Sequence, residues 1–136
     1  MVGLTRGVMT KVKPGDDIKS IELPKTFFDV IKSENALVIL SPTDATVRII
    51  PVESREVYKI LIKLGEKISP NFLLGLKSFF EETQINRFFT SGFCFKEREC
   101  IYELYCSSDL MDKNQLLERL EKLEGIKSVE IQTLSL

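Results

Sequence analysis

The stretch VYKILIKLGEKISPNFLLGLKSFF, residues 57–80, predicts a strand followed by a helix. Side chains alternate through VYKILIKL, and Gly65 then ends the strand pattern. Ser69 supplies a hydroxyl N-cap, and Pro70 stands at the first helical position, where its missing N–H costs nothing. Apolar residues then recur three and four apart, which is typical of a helix with one buried face. These residues are Phe72, Leu73, Leu76, Phe79 and Phe80.

The residues after this stretch extend the unit into a complete domain. Residues 88–106 predict a two-stranded hairpin that turns through residues 96–99. A second helix begins near Asp112, and Gly125 suits the left-handed position just after its end. The segment KSVEIQTL then alternates as a closing strand. Residues 56–136 thus have the order β-α-β-β-α-β, the ferredoxin-like plan of an α+β fold. We expect an antiparallel sheet of order 4-1-3-2 with two helices on one face.

A smaller β-rich segment, residues 16–53, is predicted to precede this domain, which spans residues 54–136. IKSIELP alternates and stops at a proline, as a strand does, and KTFFDVI suits a short helix. ALVIL and VRIIPV flank the turn-forming residues SPTDAT, so we expect a hairpin there. Residues 1–15 are predicted to be a flexible tail. Either Met1 or Met9 can be the true start.

All three cysteines, Cys94, Cys100 and Cys106, fall in the predicted hairpin with five residues between each pair. A two- or four-residue loop directs Cys100 and Cys106 towards the helices and Cys94 to the other face. We then expect these residues on the helix face as well: Phe89, Phe93, Phe95, Tyr102 and Leu104. A three-residue loop would instead set Cys94 opposite Cys100, where a disulfide can form.

The same cysteines bear on metal binding and catalysis. Thiolates on opposite faces of a sheet cannot converge on one ion, and the chain has no histidine, so we predict no metal site and no cofactor. Cys100 and Cys106 are then small buried apolar residues. Cys94 is the one nucleophile considered, but it lacks a histidine partner. We therefore predict no catalytic residue and no enzymatic activity.

The sheet face opposite the helices is predicted to be half apolar, which is unusual for a surface exposed only to water. On it we place the five residues of a partner face: Val57, Leu61, Cys94, Ile101 and Tyr105. We expect Thr90, Gly92, Lys59, Lys63 and Glu103 beside them. Residues 16–53 of the same chain can cover this face, or the same face of a second copy can do so in a two-fold homodimer. Both arrangements can hold together.

Residues 57–80, continued by IYELYCSSDLMDKNQLLERLEKLEGIKSVEIQTL, resemble an ACT-type regulatory domain over about residues 55–136. Such domains are ferredoxin-like modules that typically bind amino acids at a dimer interface. The resemblance implies a ligand site in the first strand–helix loop, GEKISPNFL, which in the family holds ligand through backbone groups. The residues carried over are Gly65, Ser69, Pro70 and Asn71, and Glu66 of the same loop, which stands several residues early for the family pattern, completes the predicted ligand-binding set. The usual loop has an acidic residue followed shortly by proline and glycine, whereas here Asn71 follows Pro70.

The segment 16–53 has a weaker resemblance to a second family. IELPKTFFDVI, ALVIL and VRIIPV resemble the strand, helix and hairpin of swapped-hairpin DNA-binding regulators of the AbrB type. Residues 1–53 hold seven basic and seven acidic side chains, so little net charge is present to meet phosphates. The basic residues able to serve are Arg6, Lys11, Lys13, Lys19 and Lys25. This resemblance implies a DNA-binding regulator as the alternative function, although nucleic acid is the less favoured partner.

Overall charge and hydropathy bound the remaining classes. Nineteen Lys and Arg against 20 Asp and Glu nearly cancel, so no broad field attracts nucleic acid or an anionic membrane. The apolar runs are too short to span a bilayer, and no signal segment opens the chain. An odd number of cysteines fits a reducing compartment, so we expect a cytoplasmic protein. The favoured function is a non-catalytic regulatory module that binds a small metabolite of the amino-acid class.

Overall fold

The computed structural model of the 136-residue chain describes residues 5–11, 25–30, 32–95 and 99–136. The described residues form seven strands and three helices. In chain order these are β1 (Arg6–Lys11), α1 (Lys25–Val30), β2 (Asn35–Ser41), β3 (Thr46–Val52), β4 (Glu56–Leu64), α2 (Pro70–Thr83), β5 (Arg87–Cys94), β6 (Cys100–Ser107), α3 (Lys113–Glu121) and β7 (Ile126–Ser135). The strands make two antiparallel sheets, which confirms the predicted α+β class.

The larger sheet has the strand order β5-β6-β4-β7. β4 lies inside it and pairs antiparallel with β6 on one side and β7 on the other. Because side chains alternate along a strand, Ile60 and Ile62 of β4 share a face with Leu104 of β6. That face packs against α2 and α3 in one apolar core. The opposite face mixes apolar side chains with charged ones, among them Lys59, Lys63 and Glu103.

The two longer helices begin where the sequence predicts. The Ser69 hydroxyl accepts a hydrogen bond from the Phe72 N–H at 3.1 Å, and the Asp112 carboxylate accepts one from the Gln115 N–H at 2.9 Å. Each cap satisfies a backbone donor that has no partner inside the helix. The buried residues of the two helices are Phe72, Leu76, Phe79, Phe80, Leu116 and Leu120.

Among the described residues, no helix combines the length and apolar character needed to cross a membrane.

The smaller sheet has the order β1-β2-β3. β2 and β3 are the predicted hairpin, and α1 falls where a short helix was expected. β1 corrects the prediction of a flexible tail, because Arg6–Lys11 pairs with β2 along its whole length and Met9 is buried. The remainder of the predicted tail, residues 1–4 and 12–15, and the strand expected in IKSIELP lie outside the described residues.

The smaller sheet packs on the face of the larger sheet that the helices leave free. Met9, Leu37 and Ile39 of the smaller sheet form a cluster with Val57 and Tyr105 of the larger one. The described part of the chain therefore has three layers, with the four-stranded sheet in the middle. Of the two partners expected for this face, the one present is the N-terminal part of the same chain.

The β5–β6 hairpin has the register of the alternative three-residue loop, so the register expected for a two- or four-residue loop is wrong. Cys94 lies opposite Cys100 and is joined to it by a disulfide, and Phe93 lies opposite Ile101. The faces predicted for β6 are confirmed, since Cys100, Leu104 and Cys106 belong to the core under the helices. Those predicted for β5 are reversed, because its pairing is shifted by one residue and such a shift exchanges the two faces. The residues that change face are Phe89, Thr90, Gly92, Phe93 and Cys94.

Candidate functional site

A concavity of about 510 Å³ lies where β4 ends and the loop to α2 begins. We call it the Gly65 concavity, and its volume falls within the range of small-molecule sites. From the β4–α2 loop it is lined by Gly65, Glu66, Lys67 and Ser69, with Leu64 at the end of β4. From the α3–β7 loop it is lined by Glu124 and Gly125.

Pairing of strands brings the two loops of the Gly65 concavity together. β4 and β7 are neighbours, and their register shifts at Leu64, which lies opposite Ile126. Gly125 has a φ of +85°, a conformation that glycine adopts without strain, and it turns the chain from α3 into β7. A Cβ placed on Gly125 would lie 3.8 Å from the Ser69 hydroxyl, so the two loops face each other closely.

The concavity offers groups of both charges. Glu66, Lys67 and Glu124 lie at its rim, where Glu66 and Glu124 are in contact with solvent. The first N–H groups of a helix have no partner within it, but the residues of α2 lie outside the lining of the concavity. Pro70 has no N–H and Ser69 caps that of Phe72. The partial positive charge at this end of α2 favours an anionic group.

Three of the five predicted ligand residues, Gly65, Glu66 and Ser69, line the concavity. Pro70 and Asn71 are exposed at the start of α2 and lie outside its lining. Lys67, Glu124 and Gly125 were missed by the sequence reasoning.

A second polar group lies buried between the two sheets. We call it the Thr5 cluster, and it comprises Thr5, Lys59, Glu103 and Tyr105. The Lys59 Nζ is 3.4 Å from the Glu103 carboxylate and donates a hydrogen bond to the Thr5 carbonyl at 2.7 Å. The Thr5 hydroxyl donates to Glu103 at 2.8 Å and lies 2.8 Å from the Tyr105 hydroxyl.

The Thr5 cluster ties the sheets together. Burial, supported by the nearby charge of Glu103, raises the pKa of Tyr105 to about 12, while the hydrogen bond with Thr5 acts in the opposite direction. Tyr105 therefore stays protonated at neutral pH. Lys59 and Glu103 compensate each other's charge within the protein, as a buried pair must. The sequence predicts both on this face. It gives no indication of Thr5, because Thr5 lies in a segment without hydrophobic periodicity.

The described cysteines leave no reactive thiol at the surface. Cys94, the nucleophile that was considered, is bonded to Cys100. Burial raises the pKa of the Cys106 thiol to about 12, so it is protonated at neutral pH. Within the part of the chain that the structure describes, no three Cys, Asp or Glu side chains are grouped to hold a metal ion.

The predicted partner face is largely internal to the chain. Val57, Leu61, Ile101 and Tyr105 are all buried. Cys94 was placed on this face wrongly, because its pairing with Cys100 turns it towards the helix side.

The structure adds little to the DNA-binding alternative. Of the basic residues proposed for it, Arg6 and Lys25 are exposed. Lys13, Lys19 and the side chain of Lys11 lie outside the described part of the chain.

The chain matches no protein-family model and no curated protein. The ACT-type and AbrB-type resemblances therefore rest on the sequence segments that carry them. Function has to be argued from the geometry of the Gly65 concavity and of the Thr5 cluster.

Proposed function

We propose that the protein is a non-catalytic regulatory module that binds a small metabolite of the amino-acid class in the Gly65 concavity. The observation that carries the proposal is the meeting of Gly65, Glu66 and Ser69, three residues expected to hold ligand, in one concavity of suitable size. Residues 54–136 act in this proposal as a ferredoxin-like domain of the ACT type. Its element order and its strand order, β5-β6-β4-β7, support that assignment.

The charges around the concavity suit a zwitterion. The carboxylates of Glu66 and Glu124 can accept hydrogen bonds from an α-ammonium group. Lys67 can bind an α-carboxylate, and the partial positive charge at the start of α2 favours an anionic group there. The rim is polar and open to solvent, so these groups favour a small hydrophilic ligand over a large apolar one.

A ligand in this position would bridge the β4–α2 and α3–β7 loops. A ligand shifts the equilibrium between two arrangements of these loops only as far as its affinity for one exceeds its affinity for the other. The size of the response therefore depends on how much the spacing of the loops differs between the two arrangements. Regulation then consists of a change in the surface that this chain presents to a partner protein. In this proposal the chain acts in the cytoplasm.

We also propose that the protein is a homodimer, through a surface other than the predicted partner face. The docked smaller sheet already buries Val57 and Tyr105 of that face. β5 is an edge strand of the larger sheet and carries exposed Phe93, and exposed Phe95 comes just after it. An edge strand with exposed aromatic residues is suited to pairing with a second chain.

The first test is a thermal-shift screen of the protein against the twenty amino acids, with common nucleotides as a counter-screen. A ligand present at a hundred times its Kd should stabilise the fold by about 2.7 kcal/mol, or several degrees in Tm for a chain of this size. We expect a selective shift with one amino acid or a few chemically related ones. A flat screen contradicts the proposal.

Two matched variants locate the site. Glu66→Gln removes a charge from the concavity and should abolish most of the shift given by wild type. Glu118→Gln makes the same change on α3, outside the lining, and should leave the shift unaltered. Equal shifts in both variants would mean that the ligand binds elsewhere. Ser69→Ala is less suitable alone, because it also removes the cap of α2.

A further inference from the structure

The Cys94–Cys100 disulfide lies directly against the loop that lines the Gly65 concavity. The Cys100 N–H donates a hydrogen bond to the Gly65 carbonyl at 2.8 Å. A second contact lies nearby, since a Cβ added at Gly92 would come within 3.1 Å of the Ile68 side chain. The β4–α2 loop thus rests on the β5–β6 hairpin at two points, and one of them is a disulfide residue.

Among the described residues, this end of the hairpin is held by the pairing of β5 with β6 and by two contacts beyond Cys94. β5 is an edge strand. It pairs with β6 on one side, and no described strand pairs with it on the other. Beyond Cys94, the Phe95 N–H donates to the Glu99 carbonyl at 3.1 Å, and the exposed rings of Phe93 and Phe95 meet with centroids 5.0 Å apart. The covalent bond is therefore the strongest restraint on the strand end that abuts the loop.

The two cysteines differ in exposure in a way that suits exchange. Cys94 is exposed, whereas Cys100 is fully buried beside the Gly65 carbonyl. The bond thus joins an exposed residue to one that donates a hydrogen bond to the β4–α2 loop. The remaining cysteine, Cys106, is a buried free thiol.

We propose that the Cys94–Cys100 disulfide is a redox switch that controls the Gly65 concavity, with the oxidised form binding metabolite more tightly. This regulation rests on the proposed function. Reduction by a dithiol breaks the Sγ–Sγ bond, and two electrons and two protons convert it to the thiols of Cys94 and Cys100. The dithiol is oxidised to its own cyclic disulfide. The end of β5 is then free to separate, and the donor that positions the Gly65 carbonyl loses its support.

Amide hydrogen exchange tests the coupling without a ligand. Air-oxidised and dithiothreitol-treated protein are compared by mass spectrometry, with thiol alkylation to count free cysteines. We expect reduction to accelerate exchange about tenfold or more in peptides that cover residues 65–69 and Cys100, since local opening governs their protection. Cys94→Ser, a change at an exposed position, should show the fast exchange and no response to dithiothreitol. Cys106→Ala should respond like wild type.

Two results of the exchange experiment overturn the proposal. In the first, alkylation shows that the bond has been reduced, yet hydrogen exchange in residues 65–69 is unchanged. In the second, the air-oxidised protein, once denatured, has three thiols that can be alkylated. That count would mean that the Cys94–Cys100 disulfide does not form.

Calorimetric titration with each of the twenty amino acids separates this proposal from the proposed function. Reduction should raise the Kd of any amino acid that binds by about fivefold or more, the lower end of usual allosteric couplings. Equal Kd values in the two redox states overturn the switch and leave the binding function intact. If no amino acid binds but exchange still accelerates, the proposed function fails and the coupling of the disulfide to the loop is supported.

Discussion

Gly7 shows how closely the two sheets approach. A Cβ on this residue would lie 2.3 Å from Cε2 of Tyr105 and 2.9 Å from a methyl carbon of Leu134. Neither distance admits a Cβ unless the side chains of Tyr105 and Leu134, or the sheets that carry them, move. Gly7 therefore serves packing, since its φ does not lie in the left-handed region that favours glycine.

Replacing Gly7 with alanine should destabilise the protein by about 1–3 kcal/mol, the usual cost of overpacking a well-packed contact. Urea unfolding at neutral pH measures this loss. Gly65→Ala is the matched control, because no atom lies within 4 Å of its added Cβ and its φ is not positive. The control should change the free energy of unfolding by less than about 1 kcal/mol. Equal effects would show that Gly7 does not lie against Tyr105.

The same scale shows which site residues a sequence can reveal. Gly65, Glu66 and Ser69 lie within one short loop, so a local resemblance was sufficient to propose them together. Glu124 and Gly125 are far away in the chain and reach the concavity only because β4 and β7 pair side by side. No local signal reports that pairing, and so Glu124 could not be assigned to the site from sequence.

At the scale of single elements, helices were predicted better than strand registers. The starts of α2 and α3 are set by Ser69 and Asp112, whose side chains act on the next turn of the same helix. The β5 register depended on loop length, and FFTSGFCF has aromatic residues at both odd and even positions. Periodicity therefore could not choose between the two faces of β5. In β6 the charged Glu103 marks the face away from the helices, and the faces predicted for this strand are the observed ones.

Asp112→Ala should cost about 1 kcal/mol of stability, since it removes the oxygen that accepts the Gln115 N–H. Asp112→Asn keeps an accepting oxygen and should retain most of that stability. Thermal and urea unfolding of the two variants at the same pH give the comparison. If the asparagine variant loses as much as the alanine variant, the charge of Asp112 and not its capping hydrogen bond is responsible.

At the scale of the whole molecule, a buried ion pair joins the two sheets. Lys59 and Glu103 belong to the larger sheet, and Thr5 contacts both of them from the N-terminal side. Burying such a pair contributes little net stability over an apolar contact, but a single unpaired member is costly. The cluster therefore favours one placement of the smaller sheet, in which Thr5 reaches its partners.

Lys59→Met alone should destabilise the protein by about 3–5 kcal/mol, because it leaves the Glu103 carboxylate buried without its cation. The double variant Lys59→Met/Glu103→Leu should recover much of this loss. A double-mutant cycle by urea unfolding, with Glu103→Leu as the fourth species, measures the coupling. Additive losses in the double variant would contradict a coupled pair.

The Thr5 cluster also sets the order in which the molecule can be completed. Thr5 bonds to Glu103 and Tyr105, which lie 98 and 100 residues further along the chain. Contacts between residues so far apart in the sequence form slowly, because a long loop of chain must close before they contribute to stability. During synthesis, β1 is made long before the strands that pack on it, and the cluster of Met9, Leu37 and Ile39 is not complete until Tyr105 of β6 has been made. Nascent chains of this protein should therefore need chaperone protection until β6 and β7 have been synthesised.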